Sequence, residues 1–569
     1  MITPTAPDRA LRWADFSTLI EALDYAAQGP TGLNFYSLRG ELAEALPYAD
    51  LRRTARELAS DLLGRGLQPG DRVGLIAETD GDFVRAFFAC QYAGLVPAPL
   101  PLPAPLGGRA NYIEQIGRML QAAETNALLG PSSMTEWLAE IRETCPLKFV
   151  GALSELPKGA QVDLPSIGAD DPCYLQFSSG STRFPTGVLV THRALMANAV
   201  AITRHGLKVL ASDRAVSWLP LYHDMGLVGF LLSPLSAQMS VDLLPTSAFV
   251  RRPLLWLDLI TRNGGTISYS PTFGYELCAR RAENARIDHL DLSRWRVAGV
   301  GGDMIRTRPL NEFTSRFAEV GFSANAFVAS YGMAEATLAL TMAPLGGGLV
   351  AERLDVEKLE DEGLAVASTS SARSREFARC GRVLPGHELE VRDERGAVLP
   401  ERRVGKVFAR GPSLMVGYFK QDEATQQVLS PDGWLDTGDL GYLSDGEIVL
   451  TGRSKDLIIL NGRNIWPQDL EWTAEAEIQG LRSGDVAAFS APADGEEAVI
   501  VLVQSRTSDP EARRQLATQV TDLLRLRHGV EAQVHLVGAH ALPQTSSGKL
   551  SRSRARAAYL AGLNAAEAV

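Results

Sequence analysis

The chain has 569 residues, with 56 Lys+Arg against 67 Asp+Glu and a formal charge of −11. At roughly 100–200 residues per domain, that length predicts several compact units or two large ones, and 45% hydrophobic with 22% charged residues excludes a disordered or fibrous chain. The acidic balance argues against a nucleic-acid partner, which needs a basic stripe.

The opening residues Met1 to Asp8 lack the basic start and apolar core of a secretory leader. The five cysteines, Cys90, Cys145, Cys173, Cys278 and Cys380, include no CxxC pair. Neither a disulfide framework nor a thiolate zinc motif is expected, and a reducing cytoplasm is the simplest home. Val73–Glu78 has the composition of a strand. Ala86 to Gly108 carries no charge, yet Pro97, Pro99, Pro101, Pro103 and Pro105 alternate through it. Each proline removes a backbone donor, so the segment is predicted to be an apolar helix running into a Pro-rich loop, with no membrane span.

Cys173–Ser178 and Thr266–Ser270 are further predicted strands, and their alternation with helical patterns predicts an α/β architecture. Gly346–Gly348, the charged stretch through Glu362 and the Ser/Thr/Ala-rich stretch to Ser374 have the composition of an inserted surface segment. Beyond Gly446–Thr451, strands are predicted at Val486–Ser490, Ala498–Gln504 and Val534–Val537. Between them Leu516, Val520, Leu523 and Leu524 fall at helical spacing, which predicts a small α+β unit.

Five segments carry polar groups suited to chemistry. In Gln176-Phe-Ser-Ser-Gly-Ser-Thr-Arg-Phe-Pro-Thr-Gly187, a predicted strand feeds a loop where Ser178, Ser179, Gly180, Ser181 and Thr182 follow in succession. Successive N–H groups there can form an anion-binding nest, with hydroxyls as extra donors. It is not a Walker A loop, since no G-x-x-x-x-G-K-[ST] occurs. Trp218-Leu-Pro-Leu-Tyr-His-Asp-Met-Gly226 sets His223 beside apolar residues. Gly299-Val-Gly-Gly-Asp303 offers a glycine-lined close approach for a flat ligand. Ser330-Tyr-Gly-Met-Ala-Glu-Ala-Thr337 supplies an aromatic face and one carboxylate. Trp434-Leu-Asp-Thr-Gly-Asp439, with Gly452-Arg-Ser-Lys-Asp456, adds a carboxylate and two cations. Singly, each is more often an ordinary turn or a solvated face.

In this order, and closed by Leu542-Pro-Gln-Thr-Ser-Ser-Gly-Lys549, the segments resemble the adenylate-forming superfamily of acyl-CoA synthetases, nonribosomal peptide adenylation domains and luciferases. The resemblance runs from about Leu51 to Arg556. It is strongest to the fatty acyl-AMP ligases, on three features: SSGSTRFPTG has no lysine near Thr186, the His223-Asp-Met-Gly226 segment and Asn461-Gly-Arg-Asn-Ile-Trp-Pro-Gln-Asp-Leu-Glu471 have that branch's wording, and Val350–Arg379 falls where the branch carries an insertion.

The resemblance implies a large multi-subdomain adenylation domain over residues 1–453, with the insertion at about 350–379, and a small mobile α+β domain over 454–569 that pivots at Lys455. It implies ATP and Mg²⁺ as cofactors. A fatty acid would be joined to AMP and then passed to the phosphopantetheine thiol of an acyl carrier protein. Ser178 to Thr182 would hold the β- and γ-phosphates and Glu335 the metal. Tyr331 would stack on adenine within Ser330, Gly332 and Met333, with Gly301, Gly302 and Asp303 along the base edges. Asp439 and Arg453 would hold the ribose, His223 would orient the acyl group, and Lys549 would bridge the attacking carboxylate and the α-phosphate. The alternatives are a fatty acyl-CoA synthetase, with CoA as acceptor, and a non-catalytic nucleotide- or acyl-binding protein. The latter should have lost Glu335, Asp439 or Lys549, and all three are present.

Overall fold

The computed structural model describes residues 10–103, 108–155, 160–178, 186–368, 374–460, 463–493, 496–545 and 549–567. Its contacts divide the chain into two compact units. The first comprises Met1–Val350, Arg379–Leu389 and Ala409–Leu435; the second comprises Ala351–Ala378, Glu390–Phe408 and Asp436–Val569. The division falls at 435/436, where the sequence predicts a boundary at 453/454, and it assigns most of the inserted segment to the second unit.

The first unit is built on a nine-stranded sheet. Its six central strands run in the order Phe327–Gly332, Val297–Val300, Ile267–Ser270, Arg214–Ser217, Ser240–Leu243 and Gly32–Tyr36. All neighbours in that series pair in parallel, and antiparallel strands flank it on either side. Strands such as Val297–Val300 are buried at every position, as a parallel sheet covered on both faces requires. One face is packed by an aromatic cluster in which Trp256 meets Trp295 at 5.2 Å and Tyr275 meets Phe327 at 5.2 Å, both edge-on. The charged pair inside this core is fully bonded. Arg214 donates twice to Asp242, at 2.6 and 2.7 Å, and Asn34 donates to the same carboxylate at 2.8 Å.

A second, all-parallel sheet orders its strands Val96–Leu100, Arg72–Ile76, Thr125–Gly130 and Phe149–Ala152. Here the structure corrects the sequence expectation. The helix Gly81–Ala93 is present, capped by Asp80, whose side chain accepts from the Phe83 N–H, and ended by left-handed Gly94. Pro97 and Pro99, however, lie in an edge strand and not in a loop. The Val96 N–H donates to Asp71 O on the paired side, so by alternation both prolines direct their missing donors to the unpaired side.

A third, antiparallel sheet joins Pro172–Ser178, Thr186–Thr191 and Gly417–Tyr418. Among the described residues no helix is long and apolar enough to cross a membrane. All five cysteines are free thiols, and each is buried.

The second unit carries the predicted α+β module. Strands Val486–Ala493, Glu496–Ser505 and Ala532–Gly538 form a sheet, and helices Pro467–Glu477, Pro510–His528 and Arg552–Glu567 belong to the same module. Val520 and Leu524 are the fully buried positions of the central helix, at the spacing the sequence shows. The inserted segment is an antiparallel pair, Ala351–Asp355 with Ser374–Ala378, enclosing the helix Val356–Glu362. It buries Leu354, Leu359, Ala365 and Phe377 against Tyr442, Val449 and Trp466.

Candidate active site

In the first unit, contacts between loops bring the motif segments together. Ser178 ends the strand Pro172–Ser178 and pairs with Thr186 across the sheet. Ser179, Gly180, Ser181 and Thr182 lie outside the described residues. Two residues before Ser178, Gln176 donates from Nε2 to Tyr222 O at 2.7 Å, which ties this strand to the His223 segment. His223 caps the short helix Asp224–Leu227, and its Nδ1 lies 2.6 Å from Asp224. At the head of a turn, its side chain is 19% exposed.

Met225, on that short helix, reaches the loop after Val297–Val300, where a Cβ on Gly302 would lie 3.3 Å from its terminal methyl. Gly302 has φ +76°, a left-handed conformation that favours glycine. The neighbouring glycines are also required by the protein's own packing. A Cβ on Gly299 would strike the Tyr269 ring at 2.1 Å, and one on Gly301 would meet Ser330 O at 2.8 Å. Asp303 turns back to accept from the Met304 N–H. Gly332 is likewise closed on by Leu338 O, at 1.8 Å from an ideal Cβ.

Ser330 and Tyr331 end the strand Phe327–Gly332, Tyr331 being buried, and Met333 leads into a single 3₁₀ turn, Ala334–Ala336. This turn packs beside the strand that ends at Ser178 and carries Glu335, which is 8% exposed. The Tyr418 hydroxyl donates to Glu335 Oε1 at 3.0 Å. Burial, and then the Glu335 charge, raise that phenol above its ordinary range, so it stays a donor. The Met415 N–H donates to Glu335 O at 2.8 Å.

A buried polar cluster behind the turn was not legible in the sequence. Thr337 follows the turn with φ 68° and ψ −57°, a strained conformation for a β-branched residue. Its Oγ1 donates to Ser413 O at 2.7 Å. The Ser413 hydroxyl donates to Ala336 O and receives Asn198 Nδ2 at 3.2 Å. His387 Nε2 lies 2.6 Å from the same hydroxyl. Burial keeps His387 below its ordinary pKa, which makes neutral imidazole the resting form.

In the second unit, Asp439 and Arg453 sit opposite each other on Leu435–Ser444 and Glu447–Arg453, with Arg453 Nε 3.6 Å from Asp439 Oδ1. Ser454 closes the turn by donating from N and Oγ to Gly438 O, each at 3.0 Å. Lys455 occupies this turn, which ends where the Asp456 N–H donates to Arg453 O. Lys549 stands on a loop whose base is closed by two bonds: Thr545 N–H to Lys549 O at 2.7 Å, and Lys549 N–H to Thr545 Oγ1 at 3.2 Å.

Residues 28–419 match the family of AMP-binding enzymes. A Caulobacter vibrioides (strain NA1000 / CB15N) protein with the provisional name acyl-CoA synthetase is 67% identical over 99% of this chain and 98% of its own. The medium-chain-fatty-acid–[acyl-carrier-protein] ligase JamA of Moorena producens is 32% identical over 96% of each chain. A solved structure from work on fatty acyl-adenylate ligases of E. coli and L. pneumophila is 44% identical and superposes with a TM-score of 0.93, covering 98% of this chain and 100% of that one. Fold, motif order and these similarities agree: the chain belongs to the AMP-binding enzymes and, within them, to the fatty acyl-AMP ligases, ATP-dependent enzymes that form adenylates.

Proposed function

We propose that this enzyme joins a fatty acid to AMP and passes the acyl group to the phosphopantetheine thiol of an acyl carrier protein. The observation that supports the first half is the set of contacts that links these segments of the first unit: Gln176 to Tyr222, Met225 to Gly302, Gly301 to Ser330, and the turn of Glu335 beside the strand that ends at Ser178. A carboxylate is already a competent nucleophile toward the α-phosphorus, so the step needs positioning and charge stabilisation more than a general base.

The loop from Ser178 to Thr182 holds the β- and γ-phosphates, and Tyr331 with Gly301, Gly302 and Asp303 holds the base. Asp439 accepts from the ribose hydroxyls, with Arg453 beside it. Lys549 reduces the repulsion between the fatty carboxylate and the α-phosphate, while His223 orients the acyl end. Glu335 fits Mg²⁺: it is a hard oxygen donor, buried and held by a phenol hydroxyl. Among the described residues no group of three His, Cys, Asp or Glu could hold a metal, and Mg²⁺ bound with nucleotide needs only one or two carboxylates. When bound, the ion offsets the charge of the triphosphate.

The carrier acceptor is supported by the loop SSGSTRFPTG, which lacks the lysine usual in acyl-CoA synthetases, by the inserted segment, and by the acceptor named for JamA. A second reading, transfer to CoA, is favoured by the provisional name of the C. vibrioides relative. Five free, buried thiols fit a cytoplasmic site of action.

The test supplies ATP, Mg²⁺ and fatty acids of several lengths, then CoA and a phosphopantetheinylated carrier in parallel, with products followed by mass spectrometry. Acyl carrier should dominate; acyl-CoA as the main product overturns the acceptor. Lys549→Ala should lose adenylate formation and keep ATP binding.

A further inference from the structure

Arg552 lies three residues beyond Lys549, at the start of the helix Arg552–Glu567. Its guanidinium joins two other elements of the second unit. Nε and Nη2 donate to the two oxygens of Glu471 at 2.7 and 2.6 Å, a bidentate pair, and Nη1 donates to Asp456 at 2.8 Å. Glu471 is itself fixed: it lies on the helix Pro467–Glu477, is 3% exposed, and accepts from the Ala488 N–H at 2.9 Å. Asp456 is the residue immediately after Lys455, in the turn that begins at Arg453. Burial works against the charge on Arg552, and the two carboxylates outweigh it, so the guanidinium stays protonated.

We propose that Arg552 is a positioning residue for Lys549, clamping the lysine loop to the turn that carries Lys455 and to the neighbouring helix. This rests on the role given to Lys549 above and on the pivot that the resemblance assigns to Lys455. A pivot places a distant group accurately only if the link between pivot and group is stiff. The loop is closed at its base by the Thr545–Lys549 bonds and by Ser551 N–H to Pro543 O at 2.9 Å, all of which are internal to the segment. Arg552 ties that segment to the residue next to the pivot, so a rotation at Lys455 carries the ammonium with it and is not absorbed in the loop. A bidentate guanidinium suits this task because it fixes orientation as well as distance, which a single ammonium cannot do.

The test is Arg552→Lys, which keeps the charge and loses the fork, with Asp456→Asn as a second variant that leaves the Glu471 pair in place. Both half-reactions are measured separately, the second from preformed acyl adenylate. The expected result is at least a tenfold fall in kcat for adenylation with Arg552→Lys, and a several-fold fall with Asp456→Asn. KM for ATP and the rate of thiol transfer should stay within about twofold. In a Lys549→Ala background, Arg552→Lys should cause no further loss. Wild-type adenylation in both variants, or equal losses in both half-reactions, overturns the proposal. Lys549→Ala alone separates the two failures. Unchanged adenylation there refutes the lysine's role, and this inference with it. Loss there with an unaffected Arg552→Lys refutes only the positioning.

Discussion

Glu335 and Thr337 stand two residues apart and are restrained by different means. Glu335 is oriented by a phenol, and a hydrogen bond to a charged group contributes roughly 1.5–3 kcal/mol. Tyr418→Phe should therefore raise the Mg²⁺ concentration needed for half-maximal pyrophosphate release by about tenfold, with the fold intact by circular dichroism. Thr337 combines backbone strain of about 1–3 kcal/mol with a hydrogen bond to Ser413 O contributing about 1 kcal/mol. Thr337→Gly relieves the first and loses the second, so its unfolding midpoint should stay near wild type. Thr337→Ala keeps the strain and loses the bond, and should destabilise by about 1–2 kcal/mol in thermal unfolding.

Elements of this protein are joined by buried charge. Arg375, on the second strand of the inserted segment, meets Asp469 on the helix Pro467–Glu477 at 2.6 Å, and Arg463 meets Glu360 of the inserted helix at 2.8 Å. Arg375→Met should cost about 3–5 kcal/mol because Asp469 is left buried without its partner. Changing Asp469→Leu as well should recover most of that loss, as a double-mutant cycle in denaturant will show. In the first unit, His192 accepts from the Leu19 N–H, and burial holds its pKa at about 4. Its folded pKa lies below the unfolded value of about 6.5, so the unfolded state binds more protons between those limits. Stability is fully present above pH 6.5 and falls as pH drops toward 4, by about 3 kcal/mol from this one group. His192→Gln should flatten that part of the stability profile.

On the scale of the whole molecule, an enzyme of charge −11 must receive anionic substrates and, on the proposed reading, an acidic carrier. In the second unit, Arg514, Arg525, Arg527 and Arg552 are paired with Glu511, Asp522, Glu477, and Glu471 with Asp456, respectively. Arg513, Arg554 and Arg556 bond to backbone carbonyls, which leaves their charge uncompensated by those contacts. Reversing Arg554 and Arg556 to Glu should slow carrier loading several-fold at low salt and much less at high salt, because such charges act within about 8–10 Å. Adenylation, measured without carrier, should be unchanged.

Legible in the sequence were the alternation of strands and helices, the strands near Val486, Ala498 and Val534 with a helix between them that turns Val520 and Leu524 inward, and the order of the motif segments. These are local properties: periodicity, turn residues and short polar runs are written in neighbouring positions. Tertiary structure alone decided the rest. Pro97 and Pro99 form an edge strand because Arg72–Ile76 pairs with only one side of it. Gly299 and Gly301 are glycine because Tyr269 and Ser330 occupy the space a Cβ would need. Tyr418 holds Glu335 from 83 positions away, and Arg552 reaches Asp456 across 96. Such contacts depend on which surfaces meet when the chain closes, and no pattern within a single segment encodes its distant partner.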